Sequence, residues 1–278
     1  MQTINCKGTL IDMSMPHVMG IINVTPDSFY DGGNTTSIRP IIAQATKMLG
    51  EGATFLDIGG YSSRPNASDI SASEEIERVI PAIKAIIDEF PEALISIDTF
   101  RSNVASAAIE AGACIVNDIS GGLLDAEMYN TVARYQVPYI LMHMRGTPQT
   151  MKTETDYKNI TKEVLFYFSQ RIAEARSHNI NDIIVDPGFG FSKTAAQSFE
   201  LMNSLELFKH LDLPILAGVS RKSMIYKTLK TEPTEALNGT TALNMVALQK
   251  GASILRVHDV KEAMECIKLN HQLNKHQL

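Results

Sequence analysis

Polar and ionisable side chains recur in this sequence at one kind of place, at the end of short apolar runs or directly after them. These side chains are Asn23, Asp57, Asp98, Asn117, Asp118, His143, Asp186, Ser220, Arg221, Lys222, Arg256 and His258. Carboxylates can accept hydrogen bonds from a ligand, and arginine and lysine can bind an anion. Because burying such groups is costly unless they are paired or used, their repetition predicts a binding or catalytic site.

Two of these groups share one predicted strand. Arg256 and His258 are two residues apart, so on an extended strand both face the same side. A planar guanidinium fork beside an imidazole suits an anionic group. The sequence has no Gly-x-x-x-x-Gly-Lys-Ser/Thr loop, which excludes a P-loop nucleotide enzyme.

The elements that carry these groups follow a regular alternation. Eight apolar, β-branched runs are His17–Ile22, Thr54–Ile58, Leu94–Asp98, Cys114–Asp118, Pro138–His143, Asp182–Asp186, Pro214–Gly218 and Ser253–His258. The amphipathic stretches between them include Ile38–Gly50, Ser73–Phe90, Asn103–Ala111, Asp156–His178 and Thr234–Lys250. Eight β-then-α repeats without a linker predict an α/β fold, a single (β/α)8 TIM barrel over residues 1–278. An open doubly wound sheet is the alternative.

Local signals predict where some elements begin and end. Ser73, followed by Glu77, is typical of a capped helix start, and Gly112 and Gly251 stand where helices should stop. Residues Gln2–Asp12 precede the first barrel strand, and we expect a short hairpin there that closes the barrel floor. In a parallel barrel the carboxyl ends of the strands build the active site.

Two loops at those strand ends are long. One runs from Asn23 to Gly33 and on toward Ser37, and the other runs from Gly59 through Asn66 toward Ser71. Both exceed the usual two to six residues of such connections. Each mixes glycines with an aromatic or cationic residue. This composition favours the interpretation that the loops are lids that cover a ligand, and disfavours simple surface variation.

Composition narrows the class of protein. The 278 residues are 44% hydrophobic and carry a formal net charge of −6, which argues against a nucleic-acid partner and against an anionic membrane surface. Cys6, Cys114 and Cys266 lack metal-ligand spacing and indicate reduced thiols. The sequence has neither a signal-peptide pattern at its start nor an apolar run long enough to span a bilayer, so we expect a cytoplasmic protein.

Eight motifs together resemble the dihydropteroate synthase family. They are Asn23-Val-Thr-Pro-Asp-Ser-Phe29, Asp57-Ile-Gly-Gly60, Ser62-Ser-Arg-Pro65, Ser96-Ile-Asp-Thr99, Val116-Asn-Asp-Ile-Ser-Gly-Gly122, Asp186-Pro-Gly-Phe-Gly-Phe191, Ser220-Arg-Lys-Ser223 and Arg256-Val-His-Asp259. They occur in the family's order and span nearly the whole chain. The resemblance implies the condensation of 6-hydroxymethyl-7,8-dihydropterin diphosphate with p-aminobenzoate, which gives 7,8-dihydropteroate and diphosphate for folate biosynthesis.

The resemblance also implies roles for individual residues. The expected pterin pocket consists of Asp98, Asn117, Asp186 and Lys222, with Met142 and Phe191 as apolar walls. The expected p-aminobenzoate slot, where sulfonamides would also bind, consists of Phe29, Ser63, Pro65, Lys222 and Ser223. The expected stabilisers of the leaving diphosphate are Arg64, Arg256, His258 and a Mg²⁺ ion bound by Asn23, with Asp31 ordering the first loop beside the metal. The family further suggests a homodimer.

Simpler interpretations stay open for several of these residues. Asp98 and Asp186 could be carboxylates that cap local backbone N–H groups, and Met142 could be plain core packing. Asp31 could be a turn former before Gly32-Gly33. For His143 a hydrogen-bonded structural role is favoured over a ligand role.

The sequence departs from the family pattern at four positions. Tyr61 stands where the family commonly has Glu, Ser63 where it has Thr, and Asn66 and Ser192 where it has Gly. Ser63 keeps the hydroxyl group.

Three other functions are consistent with parts of the sequence. A pterin-dependent methyltransferase barrel would share the fold, but it would need neither Ser62-Ser-Arg-Pro65 nor the pair Arg256 and His258. A Schiff-base aldolase could use Lys222, but it would leave the ring of Asp and Asn residues unexplained. A non-catalytic pterin-binding paralogue would be consistent with the departures at Tyr61 and Ser63.

Overall fold

The computed structural model describes residues 2–24, 38–62 and 69–275. Eight parallel strands form its central sheet, in the order β8-β7-β6-β5-β4-β3-β10-β9. These strands are β3 (His17–Asn23), β4 (Phe55–Gly59), β5 (Leu94–Asp98), β6 (Ile115–Asp118), β7 (Tyr139–Met142), β8 (Ile183–Asp186), β9 (Leu216–Ala217) and β10 (Ile254–Val257). A parallel bridge between Val185 in β8 and Ile215, just before β9, joins the two edges of the sheet. The predicted TIM barrel is therefore confirmed, and the open sheet is excluded.

Helices separate successive strands of the barrel. They are α1 (Ile38–Gly50), α2 (Ala72–Glu89), α3 (Ser102–Glu110), α4 (Met128–Tyr135), α5 (Ile160–Ser177), α6 (Ala195–Asn203), α7 (Ser223–Leu229), α8 (Leu237–Gln249) and α9 (Val260–Lys275). Their apolar faces and the outward faces of the strands share one large buried cluster. None of the helices in the described ranges is long and apolar enough to cross a membrane.

The predicted start of α2 was wrong by two residues. The cap is Ser71, whose hydroxyl accepts a hydrogen bond from the Glu74 backbone N–H at 3.2 Å, while the Glu74 carboxylate accepts from the Ser71 N–H at 2.8 Å. This reciprocal pair needs Glu or Gln three positions after the cap. Ser71 meets that spacing with Glu74, whereas three positions after Ser73 stands Ile76.

The predicted helix stops are confirmed. α3 ends at Glu110 and α8 at Gln249, each just before a glycine with positive φ, +118° at Gly112 and +101° at Gly251. Left-handed backbone is costly for residues with a Cβ, so glycine is the usual residue at such a stop.

The N-terminal segment forms the predicted hairpin of β1 (Thr3–Cys6) and β2 (Thr9–Asp12), paired antiparallel. Ile4 and Cys6 are buried and pack against residues at the amino ends of the barrel strands, including Met19, Phe55 and Ile254. The hairpin therefore closes the barrel floor with apolar side chains. Access to the barrel is left to the opposite end, where the polar strand ends lie.

Candidate active site

The centre of the barrel mouth is an ion cluster built by four strands. Arg256 on β10 donates from Nε to Oδ2 of Asp57 on β4 and from Nη2 to Oδ2 of Asp98 on β5, both at 2.6 Å. Asn117 on β6 donates to the same Asp57 oxygen at 3.0 Å. Asp57 is fully buried, and Arg256 and Asp98 keep 19% and 25% of their side chains exposed. The guanidinium is thus fixed in place while part of it still faces the mouth.

Burial and charge act against each other in this cluster. Burial raises the pKa of Asp98 to about 7, against the attraction of Arg256, and the carboxylates of Asp57, Glu75 and Asp118 raise it further. Burial also opposes the charge of Arg256, but Asp57 and Asp98 outweigh it and hold the pKa of Arg256 above its usual value. Arg256 therefore stays charged at all physiological pH values, whereas Asp98 titrates near neutrality.

A second group of charges lies on the β8 and β9 side of the mouth. Lys222, just before α7, donates from Nζ to the carbonyl of Phe189 at 2.6 Å, and Nζ lies 4.8 Å from the centre of the Phe191 ring. Asp186 at the end of β8 accepts from the Gly188 N–H at 2.7 Å. Burial lowers the pKa of Lys222 to about 8, against the attraction of Asp186, and burial raises the pKa of Asp186 against the attraction of Lys222.

Two glycines show that these groups share one site. A Cβ atom at Gly218 would lie 3.8 Å from Nζ of Lys222, 3.9 Å from Cβ of Arg256 and 3.9 Å from Oδ2 of Asp186. A Cβ atom at Gly59 would lie 3.8 Å from Oδ2 of Asp98 and 3.9 Å from Oδ1 of Asn23. The absence of side chains at these two positions leaves the charged groups close to one another around the mouth.

The end of β10 is anchored to the segment that follows β9. Ser220 Oγ accepts from the backbone N–H of His258 at 3.2 Å and lies 3.0 Å from its ring Nδ1. Arg221 makes two hydrogen bonds to the carboxylate of Asp259, at 2.9 and 2.7 Å. Ser223 is half-buried as the first residue of α7. His258, two residues after Arg256, is thus tied to the segment that carries Lys222 and Ser223.

The apolar part of the mouth is a small cluster of its own. Met142 at the end of β7 is buried and shares this cluster with the half-buried Phe191 and Phe100. Phe191 in turn lies against the Lys222 ammonium. Met142 thus packs as a core residue beside the site, and Phe191 joins the apolar cluster to the charged groups.

Five expected site residues lie outside the described residues: Phe29, Asp31, Ser63, Arg64 and Pro65. The other expected site residues are all at the barrel mouth: Asn23, Asp98, Asn117, Met142, Asp186, Phe191, Lys222, Ser223, Arg256 and His258.

Sequence reasoning missed two residues that organise the mouth, Lys193 and Arg101, and the ion pair made by a third, Asp57. Asp57 was recognised as a strand end, but its pairing with Arg256 depends on barrel closure and has no local signal. Lys193 is only 7% exposed, and its ammonium lies 2.9 Å from Nδ1 of His143. Arg101 binds the buried Glu75 at 2.6 Å and lies over the rings of Tyr61 and Phe100.

His143 has the structural surroundings that the sequence favoured. It is 2% exposed, and its pKa is held well below the usual value by burial, with the charges of Lys193 and Arg145 acting in the same direction. A neutral, enclosed imidazole of this kind is a hydrogen-bonding group of the scaffold.

Within the described ranges no three His, Cys, Asp or Glu side chains are grouped as a metal site. The donor expected for Mg²⁺ is a single amide oxygen, Oδ1 of Asn23, near Asp98. Mg²⁺ often keeps one or two protein oxygens and takes the rest from substrate phosphates and water. This donor set fits a metal that arrives with a diphosphate.

Comparison with known proteins agrees with this geometry. The sequence profile described as "Pterin binding enzyme" matches residues 19–258. The dihydropteroate synthase of Escherichia coli K12 is 43% identical over 265 residues, which cover 95% of this chain and 93% of that protein. A dihydropteroate synthase structure from Yersinia pestis with a sulfonamide drug superposes with a TM-score of 0.92 at 36% identity, covering 99% of this chain and 100% of that one.

A further structure extends the match to a reaction product. The Xanthomonas albilineans dihydropteroate synthase in complex with 7,8-dihydropteroate superposes with a TM-score of 0.88 at 34% identity, and each chain is covered fully. A profile match over most of the barrel, with relatives above 40% identity over nearly the whole chain, leaves one assignment: the chain belongs to the dihydropteroate synthase family of pterin binding enzymes.

Proposed function

We propose that this chain joins 6-hydroxymethyl-7,8-dihydropterin diphosphate to p-aminobenzoate with the site residues described above. The C–O bond between the pterin methylene and the diphosphate breaks, the aryl nitrogen forms a new bond to that carbon, and the nitrogen loses a proton. The observation that carries the assignment is the convergence of Asp98, Asp186, Lys222 and Arg256 around Gly59 and Gly218.

The pterin ring is the substrate part that fits the carboxylates. Its amino-pyrimidinone edge presents adjacent N–H donors, and the buried Asp186 and the half-buried Asp98 are acceptors at the mouth. Asn117 adds an amide within the same cluster, and Phe191 and Met142 supply apolar walls. A ligand without these donors would leave the buried acceptors unpaired, which provides specificity.

Arg256 and His258 suit the departing diphosphate. The hydrogen bonds of Arg256 to Asp57 and Asp98 use two of the five N–H donors of a guanidinium, so donors remain for an anion. Because the carboxylates fix the guanidinium before substrate arrives, it needs little rearrangement as charge develops on the leaving group. The family resemblance adds Arg64 to this set.

A Mg²⁺ ion bound by Asn23 and by diphosphate oxygens would neutralise part of the leaving charge when present. The aryl amine would lie against Lys222 and Ser223, together with Phe29, Ser63 and Pro65 by resemblance. Asp31 would order the first loop beside the metal. Closure of the two long loops would keep water from the reacting carbon.

We also infer a single catalytic domain over residues 1–278, because barrel strands run from residue 17 to residue 257 and the hairpin packs into the floor. A homodimer and a cytoplasmic site of action follow from the family resemblance and from the composition. The methyltransferase and non-catalytic alternatives are disfavoured by the identity to named synthases across the full barrel.

The deciding experiment measures diphosphate release by the purified protein with Mg²⁺ and the pterin diphosphate, with and without p-aminobenzoate. We expect release that depends on p-aminobenzoate, with dihydropteroate formed in equal amount. Pterin binding without any release would instead support the non-catalytic paralogue.

A further inference from the structure

Lys193 is a buried lysine whose hydrogen-bond acceptors are all neutral. Its Nζ lies 2.9 Å from Nδ1 of His143 and donates to the carbonyls of Gly188 at 2.9 Å, Phe191 at 3.0 Å and His143 at 3.3 Å. The residue is 7% exposed. Within the described chain it makes no salt bridge, which is a costly arrangement for a buried ammonium unless it has a use.

The acceptors belong to two strand ends of the mouth. His143 follows β7, while Gly188 and Phe191 belong to the turn of residues 186–191 that follows β8. The two segments approach so closely that a Cβ atom at Gly188 would lie 2.2 Å from the His143 carbonyl oxygen. Lys193 therefore ties this turn to the neighbouring strand at the point of contact.

The same turn carries groups of the active site. Asp186 begins the turn and accepts from the Gly188 N–H at 2.7 Å. Its middle carbonyl, that of Phe189, accepts from Lys222 at 2.6 Å, and its last ring, Phe191, lies under the Lys222 ammonium. The turn is thus held by Lys193 through two carbonyls and by Lys222 through the carbonyl between them.

The surroundings of Lys193 disfavour its charged form. Burial holds the pKa of Lys193 well below its usual value, against the attraction of Asp186, and the charges of Lys222 and Arg145 act in the same direction as burial. A methionine could fill the same volume but would remove the Lys193 hydrogen bonds from both turn carbonyls, leaving each with one donor: the Phe191 N–H for Gly188 and the Ser192 hydroxyl for Phe191.

We propose that Lys193 is a positioning residue of the synthase reaction, one that fixes the turn of residues 186–191 so that Asp186, Phe191 and Lys222 meet the pterin in one arrangement. The proposal rests on the proposed function. Lys193 acts through the backbone of the turn and through His143, and substrate contact is left to the residues that it orients.

The test compares Lys193→Met with Lys193→Gln, because the amide of glutamine can still donate two hydrogen bonds to the carbonyls. The matched control is Lys250→Met. Lys250 also donates to a backbone carbonyl, that of Asn203 at 2.7 Å, but it lies at the end of α8, away from the mouth.

Two quantities are measured on protein shown to be folded by circular dichroism. They are kcat/KM for diphosphate release and the Kd for 6-hydroxymethyl-7,8-dihydropterin without its diphosphate. We expect Lys193→Met to weaken pterin binding and to lower kcat/KM about 10- to 100-fold, as small misplacements in an active site do. Lys193→Gln should recover part of both losses, and Lys250→Met should match the wild type.

Folded Lys193→Met with both quantities within twofold of the wild type would overturn the proposal. If Lys193→Met does not fold, Lys193→Ala, which also lacks a donor, decides by the same criterion: a weaker pterin Kd supports the positioning role, and a wild-type Kd overturns it. The wild-type protein is assayed alongside, so that failure of the proposed function and failure of the role of Lys193 can be told apart. A wild type that releases no diphosphate contradicts the proposed function. The Kd for the pterin then remains as the measurement that tests Lys193.

Discussion

The two sides of the barrel mouth hold their cations by different means. On one side Arg256 is paired with two carboxylates, Asp57 and Asp98. On the other side Lys193 and Lys222 donate to backbone carbonyls and the ring of His143. Most of the side-chain surface is buried on both sides, yet the pKa of Arg256 is raised whereas the pKa values of both lysines are lowered. Neutral partners satisfy hydrogen bonds, but only carboxylates in contact keep a buried cation firmly charged.

The arginine side (Arg256, Asp57 and Asp98) and the lysine side (Lys193 and Lys222) should therefore differ in how their charge depends on pH. The arginine side offers a permanent positive charge, which suits the stabilisation of a leaving diphosphate. The lysine side responds to pH near neutrality, since the pKa of Lys222 is about 8. Asp98 on the arginine side has a pKa of about 7, so both Asp98 and Lys222 are mainly charged only between those two values.

Removing the permanent charge should have the largest effect. We expect Arg256→Ala to lower kcat about 10²-fold or more, because it removes a preorganised donor at the developing charge. It should also lower the free energy of unfolding by about 3–5 kcal/mol, since Asp57 and Asp98 lose their partner. Steady-state kinetics and urea denaturation measure the two effects.

The control for this variant is Lys47→Ala. Lys47 lies on α1 with 73% of its side chain exposed, and a surface pair such as the one it makes with Glu51, at 3.9 Å, contributes less than about 1 kcal/mol. Wild-type-like kinetics in Arg256→Ala would remove Arg256 from the mechanism.

The lysine side should set the basic limb of the pH profile. Lys222 is charged below its pKa of about 8 and neutral above it, so kcat/KM should fall as pH rises through 8, approaching tenfold per pH unit. In Lys222→Arg the side chain stays charged, and the basic limb should move above pH 10. A basic limb that stays near pH 8 in this variant would assign it to another group.

The arginine side should set the pH dependence of pterin binding. Asp98 accepts hydrogen bonds best when ionised, and its pKa of about 7 is raised above the usual value, so affinity should fall as pH drops through 7. We expect a loss that approaches tenfold per pH unit below the pKa for 6-hydroxymethyl-7,8-dihydropterin, which lacks a titrating diphosphate.

Asp98→Asn should bind this pterin more weakly at pH 8 and should show no dependence on pH between 6 and 8. Asp88→Asn serves as a charge control, because Asp88 is exposed near the C-terminal end of α2, which lies at the opposite end of the barrel from the mouth. An unchanged pH dependence in Asp98→Asn would point to Asp186 as the titrating acceptor.

The arginine side was also the more predictable one from sequence. Asp98, Asn117 and Arg256 each lie within the last two residues of a strand, and the alternation of strands and helices places every strand end at one mouth. The pairing of Arg256 with Asp57 could not be read locally, because 199 residues separate them and contact depends on β10 lying next to β3, itself next to β4.

The lysine side gave weaker signals. Lys193 lies in a loop, where neither a helical nor a strand period shows which residues are buried, so its role was not predicted. The start of α2 shows the same limit at smaller scale, since two serines compete for the cap and only the Ser71–Glu74 spacing forms the reciprocal bonds. The three-residue spacing identifies the cap only when each candidate serine is checked for Glu or Gln three positions later.

The smallest expected effect tests how much a neutral group contributes on the lysine side. Ser192 stands beside Lys193 with φ of +45°, and its hydroxyl accepts from the Arg145 N–H at 2.9 Å and donates to the Phe191 carbonyl at 2.8 Å. Left-handed backbone costs a residue with a Cβ about 1–2 kcal/mol, and glycine avoids that cost. A lost hydrogen bond that leaves a buried N–H unpaired costs about 1–3 kcal/mol.

These two effects oppose each other in Ser192→Gly, so we expect its free energy of unfolding to stay within about 1 kcal/mol of the wild type. Ser192→Ala loses the hydroxyl and keeps the backbone cost, so it should be less stable than Ser192→Gly by about 1 kcal/mol. Urea denaturation of both variants separates the two contributions. If Ser192→Gly loses as much stability as Ser192→Ala, relief of the left-handed backbone at residue 192 contributes nothing measurable. The hydrogen bonds of the Ser192 hydroxyl to Arg145 and Phe191 would then account for the whole loss, and neutral hydrogen bonds would stabilise the lysine side more than backbone geometry does.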